Sequence, residues 1–238
     1  MINEMGAGFI DMFDPSTTRE LYLGQEVTND SVITIIKKID AINEWYNREN
    51  NILLSVISQC RITSDSDISI ELPVVEPINL NIISYGGSIY DGLALINTIE
   101  NSSVPVNTTV TGHAMSMGLI ISCAGEKRYG FNKSTWMYHE GSSWNIGFFT
   151  DQEEQLRECK RIQSIIDGIV VKNSEIDQDY LDEVKESKKN WYINGEQALK
   201  LGLIDELIDS DIIEDMLVEE DRDYVDIDGV EHEVIEEE

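Results

Sequence analysis

One pattern recurs along this chain and constrains its fold more than any other: an apolar strand, a glycine-containing turn and an apolar helix, in that order. In the first unit, residues 78–82 alternate between apolar and polar side chains, residues 84–87 read Ser-Tyr-Gly-Gly, and a helical apolar pattern follows. In the second unit, residues 106–110 form the strand, 112–116 the turn and 117–124 the helix. Repeated units of this kind predict an α/β fold in which helices cover a largely parallel sheet.

Helical periodicity predicts the elements on either side of these units. Residues 31–46 place isoleucines and valine on one helical face, and residues 194–201 form a last short helix closed by Gly202. Between them, residues 151–171 form an amphipathic helix. Its single apolar stripe consists of Ile162, Ile165, Ile166 and Ile169. Left in water, a stripe of this kind is unfavourable, so we expect this helix to pack against another surface.

The chain has no proline-rich or glycine/serine-rich linker, so we expect one domain. The domain covers residues 21–208, after an N-terminal segment over 1–20 and before an acidic tail over 209–238. An extra segment interrupts it at residues 51–76. Within that segment, the apolar runs at 53–57 and 68–72 are candidate strands of a hairpin.

The charge of the chain argues against several kinds of partner. Formal net charge is −29, and residues 205–238 contain 17 Asp and Glu against one Arg. A tail of this composition is typical of a solvated, partly disordered segment, and it repels both phosphate backbones and anionic lipid. We therefore expect no nucleic-acid partner and no membrane partner.

The cysteines and the apolar runs indicate the cellular compartment. Cys60, Cys123 and Cys159 are odd in number, widely separated and without metal-ligand spacing, so we expect reduced thiols and neither a metal nor another cofactor. No run approaches the ~18 apolar residues that cross a bilayer, and the first residues lack the features of an export signal. These features predict a soluble cytoplasmic protein.

Ser116 stands between small, flexible residues just before the apolar run of the second helix. A serine in this position can act as a helix N-cap, or as a nucleophile on a turn where Gly112 and Gly118 leave room for a substrate. Residue type alone favours the cap. A nucleophile also requires a general base and donors for an oxyanion, which other parts of the chain must supply.

Five short motifs together supply these parts, and in order and form they resemble the Clp protease proteolytic subunit. The resemblance runs from residue 21 to residue 205, interrupted by the extra segment. Its motifs are Ser84-Tyr-Gly-Gly-Ser88, Gly112-His-Ala-Met-Ser-Met-Gly118, Ala124-Gly-Glu-Lys-Arg128, Met137-Tyr-His139 and Gly195-Glu-Gln-Ala198. Each motif is weak alone, but all five in this order make chance an unconvincing explanation. The implied fold is that of the Clp proteolytic subunits and crotonases, with 151–171 as its handle helix.

The resemblance implies a role for each site residue. Ser116 is the nucleophile and His139 its general base, because a serine needs a neighbouring imidazole to accept its proton. The backbone N–H groups of Gly87 and Met117 form the oxyanion hole. His113 lies three residues before Ser116, and we expect it to support the loop rather than to react.

At the third position of the triad the sequence departs from the family. Asn190 stands where the resemblance expects an aspartate, and an amide supplies no charge to stabilise an imidazolium. In serine proteases the change from Asp to Asn lowers kcat by ~10⁴, so we expect attenuated activity. Glu186 lies one helical turn earlier and is an alternative carboxylate, although a solvated surface glutamate is the more common role for such a residue.

The function implied by the resemblance is a serine endopeptidase acting on peptides or unfolded proteins inside a ring of identical subunits, a heptamer or double heptamer. It also implies an ATP-driven unfoldase partner and a ring-to-ring contact through residues 151–171, and Lys189 stands where the family places an arginine tied to ring assembly. Two alternatives remain: a non-catalytic ring subunit, favoured by Asn190, and a crotonase-fold enzyme acting on acyl thioesters through carboxylate acid–base residues.

Overall fold

The computed structural model describes residues 14–59, 75–141, 149–187 and 190–208, and within these ranges it contains seven strands and six helices. The strands are β1 (Glu20–Leu23), β2 (Ile78–Ser84), β3 (Val106–Met115), β4 (Arg128–Gly130), β5 (Thr135–Tyr138), β6 (Trp191–Asn194) and β7 (Glu206–Leu207). The helices are α1 (Asn29–Gln59), α2 (Ile89–Glu100), α3 (Met117–Ser122), α4 (Phe149–Lys172), α5 (Gln178–Glu186) and α6 (Gly195–Lys200). The acidic tail and the candidate strand 68–72 lie outside the described residues.

The sheet is mostly parallel, which confirms the predicted α/β class. Five strands pair in the order β1-β2-β3-β4-β7, all parallel. The strand β5 adds to β3 in parallel, and β6 pairs with β5 in the antiparallel direction. Strand residues such as Leu23, Leu80 and Ile82 are fully buried beneath the helices. Burial on this scale is expected when crossover helices cover a parallel sheet.

β3 differs from its prediction in a way that matters for the site. The turn predicted over residues 112–116 is reduced to Ser116, because β3 continues to Met115. Its first half pairs with β4, whereas its second half pairs with β5, with His113 opposite Thr135 and Met115 opposite Met137. The partner for this second half comes from a later segment of the chain, so the local sequence pattern contained no sign of it.

The segment after residue 50 also corrects a prediction. Helix α1 extends to Gln59, so residues 53–57 belong to a helix and not to a hairpin strand. No glycine or proline interrupts the 31 residues of α1, and the helix therefore continues past its buried face. Ile52 and Leu54 in this last part of the helix are exposed.

The isoleucine stripe of α4 packs inside its own domain. Ile162 and Ile166 are each 6% exposed in the main core, and Ile165 and Ile169 pack against that core. The stripe is therefore not the surface left for another ring, because the sheet and its helices already bury it. A contact between rings through α4 would have to use the other face of the helix, which exposes Leu156 among charged residues.

The last helix ends as its sequence predicts. Asn194 forms a capping box with Gln197 at the start of α6, and Gly202 follows the helix with a φ of +67°. A glycine adopts this left-handed conformation at little cost, which is why it marks the end of the helix.

Candidate active site

Ser116 forms a sharp turn by itself between the end of β3 and the start of α3. Its backbone angles are φ 51° and ψ −124°, and it is the only non-glycine residue with a positive φ in the described parts of the chain. Strain of this kind persists only when surrounding structure imposes it, and it is typical of the strand-to-helix turn that presents a serine nucleophile. Ser116 occupies the N-cap position of α3, but its hydroxyl makes no capping hydrogen bond.

The hydroxyl instead contacts His139. The distance between Ser116 Oγ and His139 Nε2 is 2.8 Å, a hydrogen-bond length at which the imidazole can accept the serine proton if Nδ1 carries the ring hydrogen. Backbone pairing produces this contact. Ser116 N–H donates to Met137 O at 2.7 Å, continuing the β3–β5 register, and His139 follows two residues later.

The glycine turn after β2 packs directly against the serine turn. Gly86 has a φ of +94°, and a Cβ atom placed on it would lie 2.8 Å from Ser116 Cβ and 2.9 Å from Met117 N. Gly87 has a φ of +145°, and its Cβ would lie 2.4 Å from Val27 O. A side chain on Gly86 would therefore push the two turns apart, and one on Gly87 would displace the chain at Val27. The hydroxyl of Ser84 steadies this turn by accepting from Gly86 N–H and donating to Gln25 O.

The two N–H groups predicted for the oxyanion hole lie on these neighbouring turns. Met117 is the first residue of α3, so its N–H has no acceptor within the helix. Gly87 lies outside regular elements, and its N–H donates to no acceptor among the described residues. Both donors are therefore available beside Ser116, where a helix N-terminus also favours negative charge.

The serine–histidine pair opens onto a cavity of about 470 Å³ between the start of α2 and one face of α4. Ile89 and Ile162 supply apolar lining, and Gln155, Glu158 and Gln163 supply polar groups. A concave, partly apolar cavity with a few convergent polar groups is the usual form of a ligand site. The cavity has room for a side chain of a bound peptide next to Ser116.

The carboxylate in this cavity is fully engaged. Glu158 accepts two hydrogen bonds from Arg161, each 2.7 Å long, and one from Tyr90 Oη at 2.9 Å. The bonds from Arg161, with the bond from Tyr90, lower the pKa of Glu158 from 4.5 to about 2. The same contact raises the pKa of Tyr90. Glu158 is therefore a charged structural group at neutral pH and cannot serve as a general acid.

Neither candidate for the third position contacts the histidine. Asn190 and Glu186 are both exposed, and no hydrogen bond joins either one to His139 within the described ranges. Lys189 lies outside the described residues. His113 stacks on Tyr85 with ring centroids 4.1 Å apart, as expected for a residue that supports the loop.

A buried polar cluster next to His139 was not predicted. Tyr138, Gln163, Asp167 and Lys185 contact one another beneath the end of β5. Burial alone would raise the pKa of Asp167, but hydrogen bonds from Lys185 and three neutral donors outweigh it, so the pKa lies below 3.8. Burial, and then the bond to Asp167, raise the pKa of Tyr138, which stays protonated. The i, i+4 spacing of Gln163 and Asp167 was the only signal, and exposed helix faces share it.

No group of three or more His, Cys, Asp or Glu side chains is placed to hold a metal ion in the described ranges. None of the helices there is both long and apolar enough to cross a membrane.

Fold and site together define an α/β protein with a serine–histidine pair at the carboxyl edge of a parallel sheet. The chain belongs to the Clp protease family, whose sequence model matches residues 71–211. It is 34% identical over 136 residues to the ATP-dependent Clp protease proteolytic subunit of Deinococcus radiodurans, covering 56% of this chain and 66% of that protein. The subunit of Dehalococcoides mccartyi strain 195 is 35% identical over 133 residues, covering 55% and 66%. The matched segment thus spans slightly less than two thirds of either relative.

Proposed function

We propose that this chain is a serine endopeptidase of the Clp proteolytic-subunit type, with Ser116 as its nucleophile. One observation carries the proposal: Ser116 Oγ lies 2.8 Å from His139 Nε2, on the one strained non-glycine turn of the described chain. Family membership supports the same activity. Acyl transfer requires a nucleophile, a base within hydrogen-bond distance of it and donors for the oxyanion, and this site offers all three.

The reaction follows from these positions. As Ser116 Oγ attacks the carbonyl carbon of the substrate, its proton passes to His139 Nε2, and the oxyanion receives hydrogen bonds from Gly87 N–H and Met117 N–H. The C–N bond then breaks, His139 returns the proton to the leaving amine, and an ester on Ser116 remains. A water molecule then attacks the carbonyl carbon of this ester and gives a proton to His139. As the ester bond breaks, His139 returns that proton to Ser116 Oγ, and the carboxylic acid product is released.

We further propose that this activity is attenuated. Asn190 occupies the third position by sequence, and its exposed amide supplies neither charge nor a described contact to stabilise the imidazolium of His139. The pair would operate on its geometry and on the oxyanion donors. When triad residues of subtilisin are removed, the oxyanion hole and substrate binding still accelerate hydrolysis about 10³- to 10⁴-fold over the uncatalysed reaction in water.

The assembly is part of the same proposal. Relatives named as ATP-dependent Clp protease proteolytic subunits support a ring of identical subunits, a heptamer or double heptamer, fed with unfolded protein by a separate ATP-driven unfoldase. Tyr22 and Tyr85 are 66% and 73% exposed, and we propose that they contribute to subunit contacts. We propose a cytoplasmic location as well, supported by the same relatives.

A fluorophosphonate probe tests the activity, because only an activated serine reacts with it. We expect the protein to be labelled once per chain at Ser116 and to hydrolyse short unstructured peptides, and Ser116→Ala to abolish both. A wild-type protein that remains unlabelled while folded would refute the proposal.

One alternative retains a supporting observation. The exposure of Asn190 favours a non-catalytic ring subunit, which would assemble but would not react with the probe. A crotonase-type acid–base mechanism has less support, because the carboxylate of the cavity is held by Arg161 and Tyr90. If the protein does not react with the probe but sediments as a ring, it is a structural subunit.

A further inference from the structure

The segment that carries His139 needs an anchor. Tyr138 is buried at the end of β5, but the chain reaches the surface immediately afterwards, and Glu140 and Gly141 are exposed. Within the described residues, no carboxylate contacts the imidazole. A general base is effective only when its ring is held in one orientation, so another group must restrict this segment.

Gln163 on α4 contacts the chain on both sides of His139. Its Oε1 accepts from Gly141 N–H at 2.9 Å, and its Nε2 donates to Tyr138 Oη at 3.1 Å. A backbone N–H can only donate, so this contact defines which end of the amide is the oxygen. The residue before His139 and the second residue after it are thus bound to the same side chain.

The Gln163 amide is itself held in place. Its second N–H hydrogen is donated to Asp167 Oδ1 at 2.7 Å, and Tyr138 Oη donates to the same oxygen at 2.5 Å. The other oxygen of Asp167 accepts from Lys185 Nζ at 2.6 Å and Gln178 Nε2 at 3.3 Å. Asp167 is 2% exposed. A fully satisfied buried network of this kind restricts the rotamers of its members, and here it does so for Gln163.

We infer that Gln163 is the positioning residue of the catalytic histidine: it restrains the segment from Tyr138 to Gly141 so that His139 Nε2 faces Ser116. This inference rests on the proposed function, since positioning matters only if the pair reacts. In serine proteases the third triad member orients the histidine, and here a residue on the cavity face of α4 takes that role. Asp167 binds the Gln163 amide, and Lys185 binds Asp167.

The test compares two variants on the same helix. Gln163→Met removes the amide at similar length, and Gln152→Met makes the identical change at an exposed position of α4 that does not line the cavity. The readouts are the second-order rate constant for fluorophosphonate labelling of Ser116 and the final label per chain. A misplacement of about 1 Å can cost 10²-fold in rate, so we expect labelling of Gln163→Met to slow by at least about tenfold while reaching one label per chain. Labelling of Gln152→Met should change by less than about threefold.

A second variant covers the case in which Gln163→Met folds poorly. Tyr138→Phe removes only the hydroxyl that accepts from Gln163, and we expect it to slow labelling by about threefold with full final stoichiometry. Kinetics on a short peptide should show the loss in kcat, with KM nearly unchanged.

Three results would overturn the inference. The first is a wild-type labelling rate in both Gln163→Met and Tyr138→Phe, and the second is an equal loss in Gln163→Met and Gln152→Met. The third is a final label that falls with the folded fraction while the rate stays constant. A wild-type protein that does not label would instead refute the proposed function, so the two failures are distinguishable.

Discussion

The serine–histidine pair and the third triad position are built in different ways. Ser116 and His139 sit at the ends of β3 and β5, and the backbone register of these paired strands brings them to 2.8 Å. Asn190, the residue proposed for the third position, is exposed and lies just before β6, which among the described strands pairs with β5. Ser116 and His139 are therefore held by backbone hydrogen bonds between central strands, whereas Asn190 lies on a peripheral segment.

The largest effect should come from the pair itself. Ser116→Ala should lower peptide hydrolysis by at least about 10³-fold, because the acyl-enzyme cannot form, while sedimentation and thermal unfolding stay close to wild type. His139→Ala should behave alike, and the double variant should be no worse than either single one, since the two residues act as a unit. Hydrolysis by Ser116→Ala at the wild-type rate would remove Ser116 from the mechanism.

The second-largest effect should come from a change that pushes the Gly86–Gly87 turn away from the turn at Ser116. Gly86→Ala places a methyl group 2.7 Å from Met115 O at a positive φ, so we expect about 3 kcal/mol of destabilisation and a large loss of labelling at Ser116. The matched control is Gly112→Ala, whose nearest neighbour would be Ile83 Cγ2 at 3.7 Å. Urea unfolding should show Gly112→Ala within about 0.5 kcal/mol of wild type. Equal losses in the two variants would contradict the packing argument.

The buried cluster beneath His139 should contribute less. Asp167→Asn removes the charge that pairs with Lys185, but Lys185 keeps Asp182 at 2.7 Å, so we expect a loss of about 2 kcal/mol at pH 7. The folded-state pKa of Asp167 lies below its ordinary value, so its contribution exists above about pH 4 and is lost as the pH falls through the folded-state value. Urea unfolding at pH 7, 5 and 3 should therefore show the two proteins converging in acid. A difference that persists unchanged at pH 3 would rule out the charge as its source.

The smallest effect should come from restoring a carboxylate at the third position. Asn190→Asp places its charge in solvent, where Coulomb attraction supplies about 1 kcal/mol at most, so kcat should rise by no more than about fivefold. Glu186→Gln should leave kcat unchanged, because Glu186 is exposed and makes no described contact with His139. Both variants are compared on one peptide across pH 6 to 9. An increase in the hundreds for Asn190→Asp would mean that residue 190 reaches His139 during the reaction.

Sequence patterns predicted much of the fold, and they named Ser116 and His139, which the structure brings into contact and whose catalytic roles stay a prediction. The repeated units correctly predicted a parallel sheet, and short motifs correctly indicated the family, because periodicity and turn residues report local backbone geometry. The hairpin at 53–57 was wrong because apolar runs of this length suit a helix as well as a strand. The stripe of α4 was correctly read as apolar, but periodicity does not reveal whether a face meets its own core or another chain.

The sequence by itself determined the order of elements, the glycines that two abutting turns require, and the chemical types of Ser116 and His139. Those properties depend on contacts within a few residues. Only the tertiary structure decided that β3 continues to meet β5, and that Gln163 holds Gly141 from 22 residues away. Pairings at such separation depend on how whole elements pack together. Their partners lie far apart along the chain, and no local pattern of side chains encodes them.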